Sequence, residues 1–392
     1  MMKYDVIIIG GGASGLFLAS KLKVNKGLII ESTNTPGNKL LITGAGSCNI
    51  TNARDIKEFP KMYGDSGNKI RKMLYRYNNR DLMEYIESLN IPLIIREDNK
   101  VFPLSMKSKD ILDKLMDKAI KNGFELITGS NVIDTQEGEV VTLKGTYLTN
   151  NIVIATGGKS YPQTGSDGKL LDVLKDKGID IVDQIPALTP IFVQNYMYRK
   201  VSGISFRNIS VRVDNNETYG DVLLTHKGFS GPAVLRLSEY AKPGGKINIS
   251  YIDKNTGVPK KDGISKTLIN FISEKYYLPK KFLFETTEYL KIDGNKRTSN
   301  LSNNDFKRII DYLKNAEYSI SGTGGFKSAM VTAGGISLDE IDLKTMKLKK
   351  YNNIYAIGEV LDINGDTGGY NLQFSYSSAM IAANSIDNDW TI

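Results

Sequence analysis

Short apolar runs that stop at glycines, alternating with amphipathic stretches, set the pattern of this chain. Tyr4 to Ile9 is apolar and ends at Gly10, Gly11 and Gly12; an apolar-periodic stretch follows, then a second apolar run that closes on Glu31. That order predicts strand, glycine turn, helix and strand, the start of a βαβ unit. Residues 32–52 are rich in Gly, Ser and Thr and read as a loop too long for a mere connection, hence one that serves a site. Helices are predicted over 68–77 and over 79–89, where Leu82, Tyr85, Ile86 and Leu89 recur at helical spacing. A third is predicted over 108–122, with Ile111, Leu112, Leu115, Met116, Ala119 and Ile120 on one face, Ser108 as N-cap and Gly123 as the stop. Alternating runs over 125–148 predict a strand meander leading into an apolar strand at 151–155.

Beyond Pro186 and Pro190 the pattern changes. Short β-rich runs at 209–213, 221–225 and 246–252 predict a small barrel or sandwich, and residues 254–314 are Lys-rich with helical periodicity. From about residue 326 the strand-and-glycine style returns. The expected architecture is an α/β, Rossmann-like domain (1–187 and 326–392) interrupted by a β-barrel insertion (188–253 and 315–325) and a helical subdomain (254–314).

Composition narrows the class. With 392 residues, 41% hydrophobic and 24% charged, the chain has the make-up of a folded protein of two or three domains. Its first apolar run is too short for a membrane span and lacks the features of a signal peptide, so a cytoplasmic location is expected. One cysteine rules out an intramolecular disulfide, and one histidine leaves no Cys/His cluster for zinc, so no metal is expected. The net charge of +8 is local: residues 188–325 hold 21 Lys and Arg against 13 Asp and Glu, and the rest of the chain balances. This excess suits an acidic partner such as RNA. A genome-wide lysine bias is the simpler account, since 40 of the 51 basic residues are Lys.

Four motifs carry the chemistry. Gly10, Gly12 and Gly15 form G-x-G-x-x-G between a predicted strand and helix, with Ala13 and Ser14 in its first turn. Gly10 permits the turn, Gly12 lets backbone approach a pyrophosphate, and Gly15 allows close helix–strand packing. Glu31 ends the next strand where ribose hydroxyls would lie, favouring FAD or NAD over NADP. Ala155-Thr156-Gly157-Gly158 follows the strand at 151–155, with small residues that let the chain pass close to a dinucleotide. Gly358-Glu359 and Asp362 end a further strand and present carboxylates to a polyhydroxyl chain, here a flavin ribityl. Gly368, Gly369, Tyr370, Asn371, Leu372 and Gln373 precede a helical stretch at 374–385, so their amides can meet the anionic side of a reduced isoalloxazine. Together these motifs predict FAD held noncovalently by segments on both sides of the insertion.

The motif series resembles the BaiN/RdsA (YhiN-like) family of bacterial flavoproteins, also described as aminoacetone oxidase-like FAD-binding enzymes. The resemblance spans nearly the whole chain. It rests on GGGASG at 10–15, GNKLLITGAGSCNITN at 37–52, ATGGKSYPQTGSDG at 155–168, THKGFSGPAVL at 225–235, VTAGGISLDEID at 331–342 and GEVLDINGDTGGYNLQ at 358–373. It implies an FAD domain with an inserted barrel and helical subdomain, and adds Lys39, Thr43, Gly44 and Val132 to the expected cofactor contacts. It also implies reduction of an activated C=C bond, in RNA uridine or a steroid enone, with NAD(P)H as transient electron donor. Asn38 and Ser47 stand where the family carries basic residues, which leaves the transfer of substrate from its better-known members open.

Two residues are catalytic candidates. Cys48 lies in the expected flavin-lining loop and could relay electrons or act as an acid, although a lone cysteine more often packs as a small hydrophobe. His226 can protonate or position a substrate, or hydrogen-bond the glycine loop that contains it. Tyr161 and Tyr370 are candidates for stacking. Oxidation of a small amine with O2, and RNA binding without chemistry, are the competing functions.

Overall fold

The computed structural model describes residues 3–260 and 266–389; residues 1–2, 261–265 and 390–392, which fall within the expected domains, lie outside it. The chain divides into two compact units, residues 1–186 with 330–392, and residues 187–329.

The first unit is built on a sheet in which Ile354–Ala356, Gly145–Ile154, Lys3–Ile9, Gly27–Ile30 and Phe124–Ile127 lie side by side and parallel. Ile7, Ile8, Ile152, Val153 and Ile154 are fully buried, as a parallel strand covered on both faces requires. Helix Ala13–Lys21 covers one face and buries Leu16, Phe17 and Leu18. The βαβ start is therefore as predicted. Helices Gly67–Arg76 and Asn79–Ser88 fall where periodicity put them, the latter closed by a capping box between Asn78 and Asp81.

Two details differ from expectation. Helix Ser108–Lys121 forms, but Ser108 does not cap it; its hydroxyl donates to the Leu41 carbonyl and so ties the helix to the 37–52 segment. That segment also contains a short helix, Asn38–Ile42, where only a loop was expected. No helix among the described residues is long and apolar enough to cross a membrane.

The second unit contains a closed antiparallel barrel of six strands: Ile191–Val193, Gly228–Ser230, Asn216–Leu224, Ser205–Val213, Lys246–Ser250 and Ala316–Thr323. Alternate residues point inward, including Val211, Val213, Val222, Leu224, Ile247, Ile249 and Ile320. Closure removes the free sheet edges that an open sandwich would leave. Helices Leu268–Tyr276, Lys280–Leu290 and Asn303–Lys314 share the barrel's hydrophobic core through Ile272, Phe282, Phe306 and Ile309.

Tyrosine hydroxyls join within that core. Tyr318 Oη accepts from Tyr312 Oη at 2.9 Å and lies 3.0 Å from Tyr251 Oη, while Tyr198 Oη lies 3.0 Å from Thr286 Oγ1. Burial is the main cause that pushes all four tyrosines above their ordinary value of 10.0. Above about pH 10 an unfolded chain releases these protons while the folded chain keeps them, so rising pH favours unfolding. The urea midpoint is expected to stay flat near neutrality and fall steeply above about pH 10, less steeply in Tyr318→Phe. An unchanged midpoint at about pH 11 would contradict this account.

Candidate functional site

The opening strand is held on both sides at its end: Gly10 N donates to Ile30 O at 2.8 Å, and Ala155 N donates to Ile9 O at 2.8 Å. Gly10 has φ +109°, and a β-carbon there would overlap the Ala155 carbonyl. One on Gly15 would overlap the Gly10 carbonyl. These two glycines serve close packing. Gly12 differs, because a β-carbon there would meet nothing within 4 Å. It faces open space at the start of helix Ala13–Lys21, whose first turn has no side-chain cap. Uncapped N–H groups and the positive end of the helix dipole suit an anion at that point.

Glu31 sits beside this turn and is buried. Its Oε2 accepts from Gly11 N at 2.9 Å, and its Oε1 accepts from the Thr33 N–H and hydroxyl, both at 2.8 Å. Neutral donors fix the carboxylate, and no cation pairs with it among the described residues, so its remaining lone pairs can accept further hydroxyls. Asn38 supports the arrangement by donating to Thr33 Oγ1 at 3.0 Å. The segment leading to Val132 runs alongside, with Ser130 N donating to Glu31 O at 3.0 Å.

A second convergence centres on Glu359. Its Oε2 pairs with Lys39 Nζ at 2.5 Å, and its Oε1 accepts from Ser160 Oγ at 2.8 Å and Thr332 N at 2.9 Å. Lys39 also donates to Ser160 Oγ. Thr332 Oγ1 in turn accepts from Lys159 N and Ser160 N, and Gly158 leaves the room for it, since a β-carbon there would overlap the threonine. The glycine-rich loop, the segment after Ala155, the strand Val331–Ile336 and the Gly358 turn thus meet at one carboxylate. Asp362, half-buried, accepts from Gly334 N at 3.1 Å, and burial pushes its carboxyl above the usual range.

The third element is the start of helix Tyr370–Asp389. The Asn371 side chain brackets the preceding loop, accepting from Gly365 N and donating to Gly365 O, both at 2.8 Å. Asn49, with its amide oriented to satisfy both ends, accepts from Gly369 N at 3.0 Å and donates to Thr51 O at 3.0 Å. Thr51 Oγ1 donates to Gln373 Oε1 at 2.7 Å, and Gln373 donates to Tyr77 O. The ring of Tyr370 is buried, edge-on to Phe59 and Tyr63, and Leu372 packs against the core. With these side chains committed, the loop's means of meeting a ligand are its backbone and the helix dipole.

Over residues 4–385 the chain matches the family model described as HI0933-like protein Rossmann domain. The chain belongs to this family. A ribosomal RNA dihydrouridine synthase of Haemophilus influenzae is 30% identical to it over 97% of this chain and 98% of that protein. The 3-dehydro-bile acid delta(4,6)-reductase of Clostridium scindens is 25% identical over 96% and 97%. A 3-ketosteroid-delta4-(5alpha)-dehydrogenase from Rhodococcus jostii shares the fold, with a TM-score of 0.51, 13% identity and 97% coverage of each chain. The resemblance carried by the motifs is thereby borne out: this HI0933-like protein has the Rossmann-type fold of flavoprotein oxidoreductases.

In the loop of this HI0933-like chain, Thr43 Oγ1 donates to Lys39 O at 3.0 Å, and Thr43 O accepts from Cys48 N at 2.9 Å. Gly44, Ala45, Gly46 and Cys48 all adopt left-handed backbone, which coils the loop tightly. Cys48 is fully buried in the hydrophobic core, and burial pushes its thiol up to about 12. His226 lies in the second unit, exposed on the turn between Asn216–Leu224 and Gly228–Ser230. Ser160, Thr332, Asn49 and Thr51 were not singled out by the sequence, although each lies within or next to one of its motifs.

A thiol held near 12 stays protonated at about pH 8, and a core position denies reagents access. Cys48 is therefore expected to resist a thiol-specific reagent in the native protein and to react fully after denaturation. Stoichiometric labelling of native protein would show that the thiol is reachable.

Proposed function

We propose that this protein is an FAD-dependent reductase that saturates an activated carbon–carbon double bond, and that uridine in ribosomal RNA, converted to dihydrouridine, is its substrate. The observation that carries this reading is the full-length similarity to a protein named ribosomal RNA dihydrouridine synthase, at 30% identity. The relative named a bile acid reductase supports the same reaction class on a different substrate.

The residues fit the cofactor. Gly12 and the uncapped amides of Ala13 and Ser14 would take the pyrophosphate, and Glu31 the adenosine ribose. Val132 would border the adenosine side. Thr43, Gly44 and the small residues Ala155, Thr156, Gly157 and Gly158 would let backbone pass close to the dinucleotide. Lys39, Glu359 and Asp362 would line the ribityl, and the amides of Gly368 to Leu372 the isoalloxazine, with Gln373 holding that helix in place. When bound and reduced, FAD supplies the hydride, and NAD(P)H is the transient donor that reduces it. Saturation adds a hydride to one carbon of the double bond and a proton to the other. His226, exposed in the second unit, is our catalytic candidate among the titratable residues, whereas a buried, protonated Cys48 serves packing. On this reading the protein works in the cytoplasm, and the lysine excess over 188–325 supplies attraction for RNA phosphate.

The purified protein is expected to be yellow, to bleach anaerobically with NADH or NADPH, and to form dihydrouridine in rRNA fragments, detected by mass spectrometry. Rapid reoxidation by O2 with amine turnover and no nicotinamide consumption would instead identify an oxidase. In Gly12→Val the new side chain enters open space, so the fold should be kept while bound flavin falls at least about tenfold, an effect of roughly 1.4 kcal/mol or more. Full flavin retention in that variant would remove the glycine turn from the cofactor site.

A further inference from the structure

Within the second unit, helices Leu268–Tyr276 and Lys280–Leu290 meet at a tight corner formed by Tyr277, Leu278 and Pro279. Leu278 is buried and its carbonyl accepts from Ser273 Oγ at 2.8 Å, which anchors the turn. Tyr277 is its opposite. The residue holds a left-handed backbone with φ 55° and is 92% exposed. A left-handed position is least strained as Gly or Asn, so a tyrosine there bears strain without packing to offset it.

Lysines flank the corner on both helices. Lys275, Lys280 and Lys281 are exposed, and none has an ion-pair partner among the described residues. The adjacent acid, Glu274, is already paired with Lys266. Phe284, 48% exposed, lies one helical turn beyond Lys280. Open aromatic rings interleaved with lysines that form no ion pair among the described residues offer what single-stranded nucleic acid requires, a face for base stacking and cations for phosphates; Lys275 lies 5.9 Å from the centre of the Tyr276 ring, and Glu285 and Glu288 follow on the second helix. A protein partner would find little apolar area to bury between these charges.

We propose that this corner binds an unpaired nucleotide of an RNA, with the base stacked on Tyr277 and flanking phosphates on Lys275, Lys280 and Lys281. The proposal rests on the RNA-substrate reading above and adds a contact separate from the residues assigned to flavin.

Fluorescence anisotropy of the full-length protein with a labelled single-stranded rRNA fragment, over a series of salt concentrations, tests it. Tyr277→Asn suits the left-handed backbone, so its melting temperature should match or exceed the parent's while RNA affinity falls about tenfold. The double variant Lys280→Glu, Lys281→Glu should flatten the slope of log affinity against log salt by about one or more. Flavin reduction by NAD(P)H should be unchanged in both. Parental affinity and slope in both variants would overturn the proposal and leave the corner to a protein contact. If the parent binds RNA through Tyr277 yet reduces no uridine, the corner stands and the substrate reading falls. If rRNA uridine is reduced and Tyr277→Asn binds RNA as the parent does, the reverse holds.

Discussion

Much of the first unit depends on how closely glycine backbone passes its neighbours where the parallel strands end. Gly10 lies against the Ala155 carbonyl, Gly15 against the Gly10 carbonyl, Gly358 against Ser14 and Gly369 against Thr51; in each case a β-carbon would occupy space already filled. These contacts bring the starts of helices Ala13–Lys21 and Tyr370–Asp389 into one sheet-end region from positions more than 300 residues apart. Gly358 N also donates to Ser378 Oγ at 3.1 Å, which locks the second helix to the turn. The absence of side chains is here the structural determinant.

Carboxylates in this region are held by contrasting means. Glu31 is satisfied by Gly11 N from the first glycine turn and by Thr33 from its own loop, all neutral donors, which leaves it a rigid acceptor beside that turn. Glu359 is shared among Lys39, Ser160 and Thr332 and ties together segments distant in sequence. Asp362 has one backbone donor, and burial raises its pKa. Geometry thus separates a recognition-type acceptor, a structural hub and a carboxyl with spare capacity, although all three stand out alike as acids beside glycines.

What the sequence made legible follows from local physics. Gly10, Gly12, Gly15 and Glu31 are readable because strand, turn and helix are contiguous, and the barrel strands because inward residues alternate. Ser108 misled because a cap and a long-range hydrogen bond require the same hydroxyl at a helix start, and only tertiary structure brings Leu41 within reach. Ser160 and Thr332 were obscure because their partner, Glu359, is 27 or more residues away, at a distance no periodicity encodes. Tyr370 and Gln373 stand in a motif, yet their side chains are consumed by Phe59, Tyr63 and Thr51, contacts that composition cannot reveal.

The discontinuity of the first unit has a consequence for the order in which the protein forms during synthesis. Residues 187–329 are continuous and carry their own core, so that unit can close as soon as its chain has emerged. The other unit must wait: its central sheet lacks Ile354–Ala356, and its glycine turns lack Gly358 and the helix Tyr370–Asp389, until the chain beyond the second unit has emerged. Until then Ile152, Val153 and Ile154 border an open strand edge, the kind of surface that nascent chains most need to have shielded.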